Sequence, residues 1–499
     1  MASVGGGKSL KMIVGDLLAR LEKEGLLVRF EGDSSKAVVE VSYDSRAVDK
    51  DYLFICKGES FSQAYLDKAI EKGATYYMAT KAYETHHDEV GAIIVREMRS
   101  AMAVVADWFF RSPWQDLPVI GITGTKGKST TTLFLEAIFD TYYYPKKVGM
   151  TSSLRVFDGV VDKVATLTTP ENIDLFRYLA TARDHHLPAM LVEVSSQALK
   201  YKRVGGLHFA HALFLNIGSD HISPIEHPDF EDYFKSKLMI VHKTDKLYLN
   251  LNMKFIDRVQ EEAKGKMVVT FALEKPSDYM AYDIRTQAGQ TSFRVKSKAW
   301  NEVFTITVCG FFNVENALAA IAVASEAGID VASIQKGLAT CYLAGRMEVI
   351  EKTKTTPEVV IDYAHNKLSF ESVLKEYHTR GQKIWLVFGA PGGKAKNRRH
   401  ELGEMASLYA DEIILTSDDP YDERAEAIAG EIAEGFLSPR PYVFIEDRKE
   451  AIAYALSQAS ADDVVLLLGK GAEKFQKMKS GNLAYEGDYY HAQFYLGKA

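Results

Sequence analysis

"PVIGITGTKGKSTTTLFLEAIFD" (residues 118–140) sets an apolar strand, a glycine turn and a helical face in immediate succession. Val119 and Ile120 open the strand, and after Ser129 the residues Leu133, Phe134, Ala137 and Ile138 recur on one face at helical spacing. Between them Gly121, Gly124 and Gly127 let a main chain approach an anion, while the helix start offers unpaired N–H groups. Lys128 adds positive charge, and Ser129 adds a hydroxyl able to ligate Mg²⁺. The usual phosphate-loop signature would place a glycine where Ile122 stands, so the order strand, turn, helix carries the reading more than the motif does. That order predicts a site for nucleotide phosphate. "GGGKS" at 5–9 imitates the loop but follows no strand and reads as a flexible leader.

Beyond the loop, apolar runs alternate with helical patterns. "AMLVEVSS" (189–196), "HALFLNIG" (211–218) and "KLYLNLN" (246–252) predict a mostly parallel, helix-covered sheet. A second set follows "AGRMEV" (344–349): the apolar runs of "EVVIDYAH", "KIWLVFGA", "DEIILTSDD", "PYVFIED" and "DVVLLLGKG" each give way to a polar residue or glycine. This is the pattern of a doubly wound sheet, whose ligands lie beyond the carboxyl ends of the strands. Ahead of the loop, a helical pattern (Ile13, Leu17, Leu18, Leu21) mixes with short strands such as "AVVEVSYDS" and "YLFICKG", and "RSPWQDLP" (111–118) reads as a linker. The expected fold is therefore α/β in three domains. Residues 1–113 form a small α+β N-terminal domain, 114–343 a central mononucleotide-binding α/β domain of phosphate-loop type, and 344–499 a C-terminal Rossmann-like doubly wound domain.

A chain of 499 residues suits several cores. Sixty Lys and Arg against 67 Asp and Glu give no basic field for nucleic acid. Cys56, Cys309 and Cys341 lack the spacing of a zinc site or disulfide framework and suit a reducing compartment. There is no apolar run of about 18 residues for a membrane span and no signal-peptide pattern, so a cytoplasmic protein without membrane insertion is expected.

"GTKGKST" (124–130) resembles the GT-x-GK-[ST] loop of the Mur ligase family, ATP-dependent enzymes that build the peptidoglycan stem peptide and whose relatives include folylpolyglutamate synthases. Further matches run in family order from Asp44 to Glu473. "DSR" (44–46), "TTPEN" (168–172) and "EVSSQALKYKRV" (193–204) are similar to segments of the tripeptide-synthetase branch that hold a UDP-N-acetylmuramoyl-dipeptide. Glu59, Tyr201, Lys202 and Ala472 depart from residues common there.

The resemblance implies ATP and Mg²⁺ as cofactors and a distribution of roles. ATP would meet Gly124, Thr125, Lys126, Gly127, Lys128, Ser129 and Thr130, with Asn313 and Asn316 of "FFNVENALAA" (311–320) on adenine. Arg346 of "GRME" would reach phosphate and Asp362 of "DYAHN" the ribose, with His365 nearby. The UDP substrate would meet Ser45, Arg46, Thr168, Thr169, Ser195 and Arg203. Glu193 and His221 are implied metal ligands together with Ser129, and Lys237, rather than Lys235, is the lysine the family carries as a carbamate. Taken alone, the asparagines would be a helix cap and Lys237 a solvated surface lysine.

The family reaction makes an acyl phosphate and lets an amine displace the phosphate. Members that add meso-diaminopimelate show D-N-P-R where Asp418, Asp419, Pro420 and Tyr421 stand, so the arginine that grips a distal carboxylate is replaced by Tyr421. Acidic neighbours favour an ammonium. The resemblance thus implies L-lysine addition to UDP-N-acetylmuramoyl-L-alanyl-D-glutamate, with Asp418, Asp419, Gly469 and Glu473 (in "GKGAEKF", 469–475) as amino-acid contacts and Arg399 on the α-carboxylate. Addition of meso-diaminopimelate or L-ornithine, and a folylpolyglutamate-type ligation, stay open as alternatives. A monomer is expected, working in peptidoglycan precursor synthesis for cell wall, shape and division.

Overall fold

The computed structural model describes residues 12–58, 61–85, 87, 89–218, 222, 226–287, 290–393 and 396–498. They divide into two compact units interleaved along the chain. One takes the residues up to Thr123 with Lys146–Ala212 and Lys235–Lys246; the other takes Gly124–Pro145, Leu213–Phe234 and everything from Leu247.

In the first unit a five-stranded sheet runs in the order Leu27–Glu31, Gly91–Val95, Ala74–Ala79, Tyr52–Ile55, Glu40–Ser42. The last four strands are mutually parallel and Leu27–Glu31 is an antiparallel edge. The run "AVVEVSYDS", read as one strand, is two, because Val39 turns its N–H to Asp51 O and leaves its side chain exposed. The same unit pairs Met190–Glu193 in parallel with both Val119–Thr123 and Gly149–Thr151. Glu193 stands opposite Ile122, so its carboxylate issues from the carboxyl end of the strand pair, where ligands of parallel sheets gather.

In the second unit the strands Met267–Leu273, Tyr279–Gln287, Gln290–Lys296 and Asn301–Ile306 form consecutive neighbours in one sheet. Helix Lys128–Tyr142 packs closely on helix Val331–Thr340: a Cβ added to Gly337 would stand 2.6 Å from Ile138 Cα. The buried face of the former is Phe134, Leu135, Ile138 and Phe139, so the expected stripe is rotated, and Leu133 and Ala137 are half-buried.

The six-stranded sheet of this unit has the order Glu348–Ile350, Glu358–Asp362, Val464–Leu468, Ile384–Phe388, Glu412–Leu415, Val443–Phe444. Every pair but the first is parallel. The central strands Val464–Leu468 and Ile384–Phe388 are apolar and fully buried, whereas the edge strand Val443–Phe444 is not. Helices such as Lys367–Thr379, Asn397–Tyr409 and Arg448–Gln458 alternate with the strands in sequence, as expected of a doubly wound sheet. Asp488, opening the last helix Asp488–Tyr495, receives Arg448 Nε and Nη2 at 2.7 Å each, and Nη2 also donates to Leu468 O at 3.0 Å. Cys56, Cys309 and Cys341 are buried free thiols. Among the described residues no helix is long and apolar enough to cross a membrane.

Candidate active site

The phosphate loop begins where the buried strand Val119–Thr123 ends. Thr125 is pinned on several sides: its N–H donates to Asn216 O at 3.1 Å, its Oγ1 accepts from Gly218 N at 3.0 Å, and it lies 3.0 Å from Tyr233 OH. Lys126 N donates to Asn216 Oδ1 at 2.9 Å, and Asn216 Nδ2 returns a bond to Lys126 O at 3.1 Å. Gly127 caps the helix with φ 84°, a left-handed conformation that glycine adopts without a steric penalty. Lys128 folds back, its Nζ donating to Gly124 O at 3.0 Å and Thr125 O at 3.4 Å. The main chain is therefore held as a preformed cradle with an ammonium across its mouth. Ser129 is half-buried in the first helical turn and Thr130 is buried.

A cavity of about 300 Å³ opens beside the cradle, bordered by Lys126, Thr130, Asn316, Arg346, Asp362 and His365. The asparagine helix Phe311–Glu326 reaches it with Asn316, whose Nδ2 lies 3.4 Å from Asn313 Oδ1, while Asn313 Nδ2 donates to Cys309 O at 2.7 Å. Asp362, the last residue of its strand, accepts from Met347 N and Ala364 N at 2.7 Å each. Burial pushes its carboxyl up, against the pull of the Arg346 guanidinium. Arg346 lies over the Tyr363 ring, 4.8 Å from its centroid, and His365 Nδ1 is 2.8 Å from Tyr363 O. Nucleotide-sized space, a phosphate cradle, a guanidinium and a buried carboxylate thus converge in the second unit.

At the carboxyl ends of the neighbouring strands lies an acid cluster. Lys470 is fully buried; its Nζ donates to Asp419 Oδ1 and Glu473 Oε2 at 2.7 Å each and stands 3.6 Å from Asp418 Oδ1. Burial pushes Asp418 up to about 6, with Lys470 and Arg448 pulling the other way. Burial acts the same way on Asp419, yet the Lys470 hydrogen bond prevails and its carboxyl ends below the usual range. Asp418 lies so close over Gly469 that a Cβ there would meet Oδ2 at 2.9 Å. Tyr363 OH reaches Glu473 Oε1 at 3.4 Å, linking cluster and cavity. Tyr421 is tied by main chain to the hairpin that follows, through Lys477 O at 2.9 Å and Lys479 N at 2.8 Å.

Arg399, expected on the substrate's α-carboxylate, is committed inside the protein instead. It is fully buried, with Nη1 donating to Glu423 at 2.9 Å and Glu431 at 2.7 Å, and Nη2 donating to Glu423 and to Pro391 O at 3.0 Å. These hydrogen bonds hold the Glu423 carboxyl down at about 2. A guanidinium already filled by two carboxylates offers its terminal nitrogens to no third.

The first unit gathers the other expected residues. Thr169 Oγ1 donates to Glu193 O at 2.7 Å and accepts from Ser195 N at 3.1 Å; half-buried Thr168 precedes it. Ser195 caps the short helix Ser196–Lys200 by accepting from Ala198 N. Arg203 pairs with Glu171 at 3.1 Å, and Lys57 approaches the same carboxylate at 2.6 Å. Glu193 is buried and its Oε1 accepts from Ser153 N at 3.3 Å. Ser45 is buried, whereas Arg46 is exposed and paired with Asp44. Lys237 is only 1% exposed, while Lys235 on the same helix faces solvent, so the surface-lysine alternative fits Lys235 and not Lys237. His221 lies outside the described residues, and among those described no group of three or more His, Cys, Asp or Glu side chains is arranged to hold a metal ion.

Sequence reasoning missed Lys470, Tyr363 and His227. His227 is fully buried, 2.6 Å from Asp232 through Nδ1, with its ring edge-on to Tyr233 at 5.2 Å. Its place six residues before Tyr233, the residue that holds Thr125, was the available signal.

A glycine cradle at a helix N-terminus and a polar cavity beside it, with an acid cluster at the ends of nearby strands, define the class of a phosphate-loop nucleotide-binding protein. Residues 122–324 match the Mur ligase middle domain and residues 345–471 the glutamate ligase domain of Mur ligases. The chain belongs to the Mur ligase family. It is 36% identical over 460 residues to a UDP-N-acetylmuramoyl-L-alanyl-D-glutamate–L-lysine ligase of Streptococcus agalactiae serotype V, covering 91% of this chain and 92% of the relative. It is 37% identical over 481 residues to a UDP-N-acetylmuramyl-tripeptide synthetase of Lactobacillus acidophilus, covering 91% of each. A solved UDP-N-acetylmuramoyl-L-alanyl-D-glutamate–2,6-diaminopimelate ligase shares the fold with a TM-score of 0.68 at 22% identity, over 98% of this chain and 99% of that one.

Proposed function

We propose that this protein is an ATP-dependent ligase that joins L-lysine to the D-glutamate of UDP-N-acetylmuramoyl-L-alanyl-D-glutamate, in the cytoplasm, as a step of peptidoglycan precursor synthesis. Family membership supports the ligation, and the names of the relatives support lysine. The observation that carries the choice of amino acid is the acid cluster. Its cations, Lys470 and Lys477, are each held by carboxylates, and by the resemblance Tyr421 stands in place of the arginine of the D-N-P-R segment.

The reaction follows from charge and position. An oxygen of the substrate carboxylate attacks the γ-phosphorus of ATP, ADP leaves, and an acyl phosphate forms. The amine nitrogen then adds to the acyl carbon, and the C–O bond breaks as inorganic phosphate departs, leaving the amide. The substrate itself carries the activated intermediate, so no protein nucleophile is needed. Two anions must meet, and Lys128 with the N–H groups of the cradle from Gly124 to Thr130 offsets their repulsion. Asn313 and Asn316 would meet the base, Asp362 the ribose with His365 nearby, and Arg346 the phosphates. Glu193, His221, Ser129 and a carbamylated Lys237 are the proposed holders of Mg²⁺, which would supply further neutralisation of phosphate charge; the buried Glu193 carboxylate is the hard oxygen donor such an ion prefers. In the first unit, Ser45, Arg46, Thr168, Thr169, Ser195 and Arg203 are proposed to hold the UDP substrate. Residues 1–113, 114–343 and 344–499 would divide the labour as UDP-substrate, ATP and amino-acid domains.

The test is phosphate release by the purified protein with ATP, Mg²⁺ and the UDP-dipeptide, offered L-lysine, L-ornithine and meso-diaminopimelate in separate reactions. L-Lysine should give the highest kcat/KM. A preference for meso-diaminopimelate overturns the amino-acid assignment, and no ADP with any acceptor overturns the ligase.

A further inference from the structure

Lys470 has no part in the chemistry just described, yet it sits at the centre of the acid cluster. Dehydrating an ammonium costs several kcal/mol, so a fully buried lysine persists only where carboxylates hold it. Asp419 and Glu473 do so through the two 2.7 Å bonds, and they outweigh burial, leaving the lysine more firmly charged than usual. Asp419 is engaged again by Lys477, through its backbone N–H at 3.0 Å and its Nζ at 3.2 Å. Asp418 is treated differently: its nearer oxygen stands 3.6 Å from the Lys470 ammonium, beyond hydrogen-bond reach, and the side chain is buried. Arg448 is matched by Asp488, so three carboxylates face the two ammoniums of Lys470 and Lys477, and Asp418 is the carboxylate that neither ammonium hydrogen-bonds.

We propose that Lys470 is a positioning residue that sets amino-acid specificity: by spending its hydrogen bonds on Asp419 and Glu473 it leaves Asp418 as the one carboxylate of the cluster without a lysine hydrogen bond, so that the site takes an amino acid with one side-chain ammonium. The inference rests on reading the acid cluster as the acceptor site. It assigns Lys470 as the internal counter-ion that fixes how much positive charge an incoming amino acid must bring. The charged groups facing Asp418 are Lys470, Arg448, Asp419 and Glu473, so removing Lys470 deletes one of two cations acting on it.

The experiment compares wild type with Lys470→Gln and Asp419→Asn in full-length protein, recording kcat and KM for the amino acid and for ATP across pH 5–9. In Lys470→Gln the acidic limb of kcat/KM for the amino acid should move up by about one pH unit, because carboxylates without their cation take protons more readily. In Asp419→Asn, Lys470 is freed to turn to Asp418 and quench it. KM for the amino acid should then rise about tenfold, with KM for ATP unchanged. Unmoved amino-acid KM and pH limb in folded Lys470→Gln overturn the proposal, as does equal loss toward ATP and amino acid, the signature of a merely structural lysine. If Lys470→Gln does not fold, Asp419→Asn decides alone: an unchanged KM for the amino acid overturns the inference. A wild type that prefers another amino acid refutes the L-lysine assignment but leaves Lys470 to be judged with that acceptor.

Discussion

A Cβ added to Gly127 would stand 2.1 Å from Oδ1 of Asn316, so the phosphate cradle and the asparagine helix touch at a point where only hydrogen fits. Gly127 also holds φ 84°, where a side chain adds strain of about 1–3 kcal/mol. Gly127→Ala should therefore push Asn316 away and open the cavity wall. Affinity for ADP, read by calorimetry, should fall about tenfold or more. Unchanged affinity would separate the cradle from the nucleotide site.

The Asp418 carboxyl gives the amino-acid site a pH dependence of known sign. Burial raises it from its ordinary value of 3.8 to about 6. Above that pH the group is ionised and can pair with an ammonium, although its charge then opposes folding; as pH falls through about 6 it takes a proton, and both effects fade. KM for L-lysine should climb below pH 6 while KM for ATP stays flat. Parallel changes in both would locate the titration elsewhere.

Arg399 should matter to stability before it matters to chemistry. Arg399→Ala leaves Glu423 and Glu431 facing a hole that held their shared cation, and losing hydrogen bonds to a charged group costs about 1.5–3 kcal/mol where the carboxylates are partly solvated. Denaturant unfolding should show that loss, and kcat/KM of the protein that remains folded should change little. Intact stability with a large rise in KM for the amino acid would return Arg399 to the substrate.

Lys237 is buried, and the family resemblance implies that it is carried as a carbamate. Lys237→Ala should lose most turnover and regain part of it with added short-chain carboxylic acids, followed as phosphate release. Failure of every such acid at every concentration would argue for a structural lysine.

Much of this was legible from residue order, and the reasons differ by residue. The loop from Gly124 to Ser129 could be read because its geometry depends on neighbours in sequence: a strand before, glycines within, a helix after. Strand ends carrying Asp362, Asp418 and Gly469 were readable for the same reason. Arg399 misled because its partners, Glu423 and Glu431, lie 24 and 32 residues away, and nothing local distinguishes an arginine aimed inward from one aimed at a ligand. Lys470 escaped notice because a lysine between two glycines looks solvated until Asp419 arrives from another strand end.

The bidentate clasp between Arg448 and Asp488 gives the end of the chain an unexpected weight. Nη2 of that arginine also holds Leu468 O, one residue ahead of the glycine beneath Asp418, so the final helix serves as a foundation stone for the acceptor pocket. Truncation before Asp488 would strand a guanidinium in the interior and slacken a site far from the cut. Fusion partners and affinity tags belong beyond that helix, appended to it and never in its place.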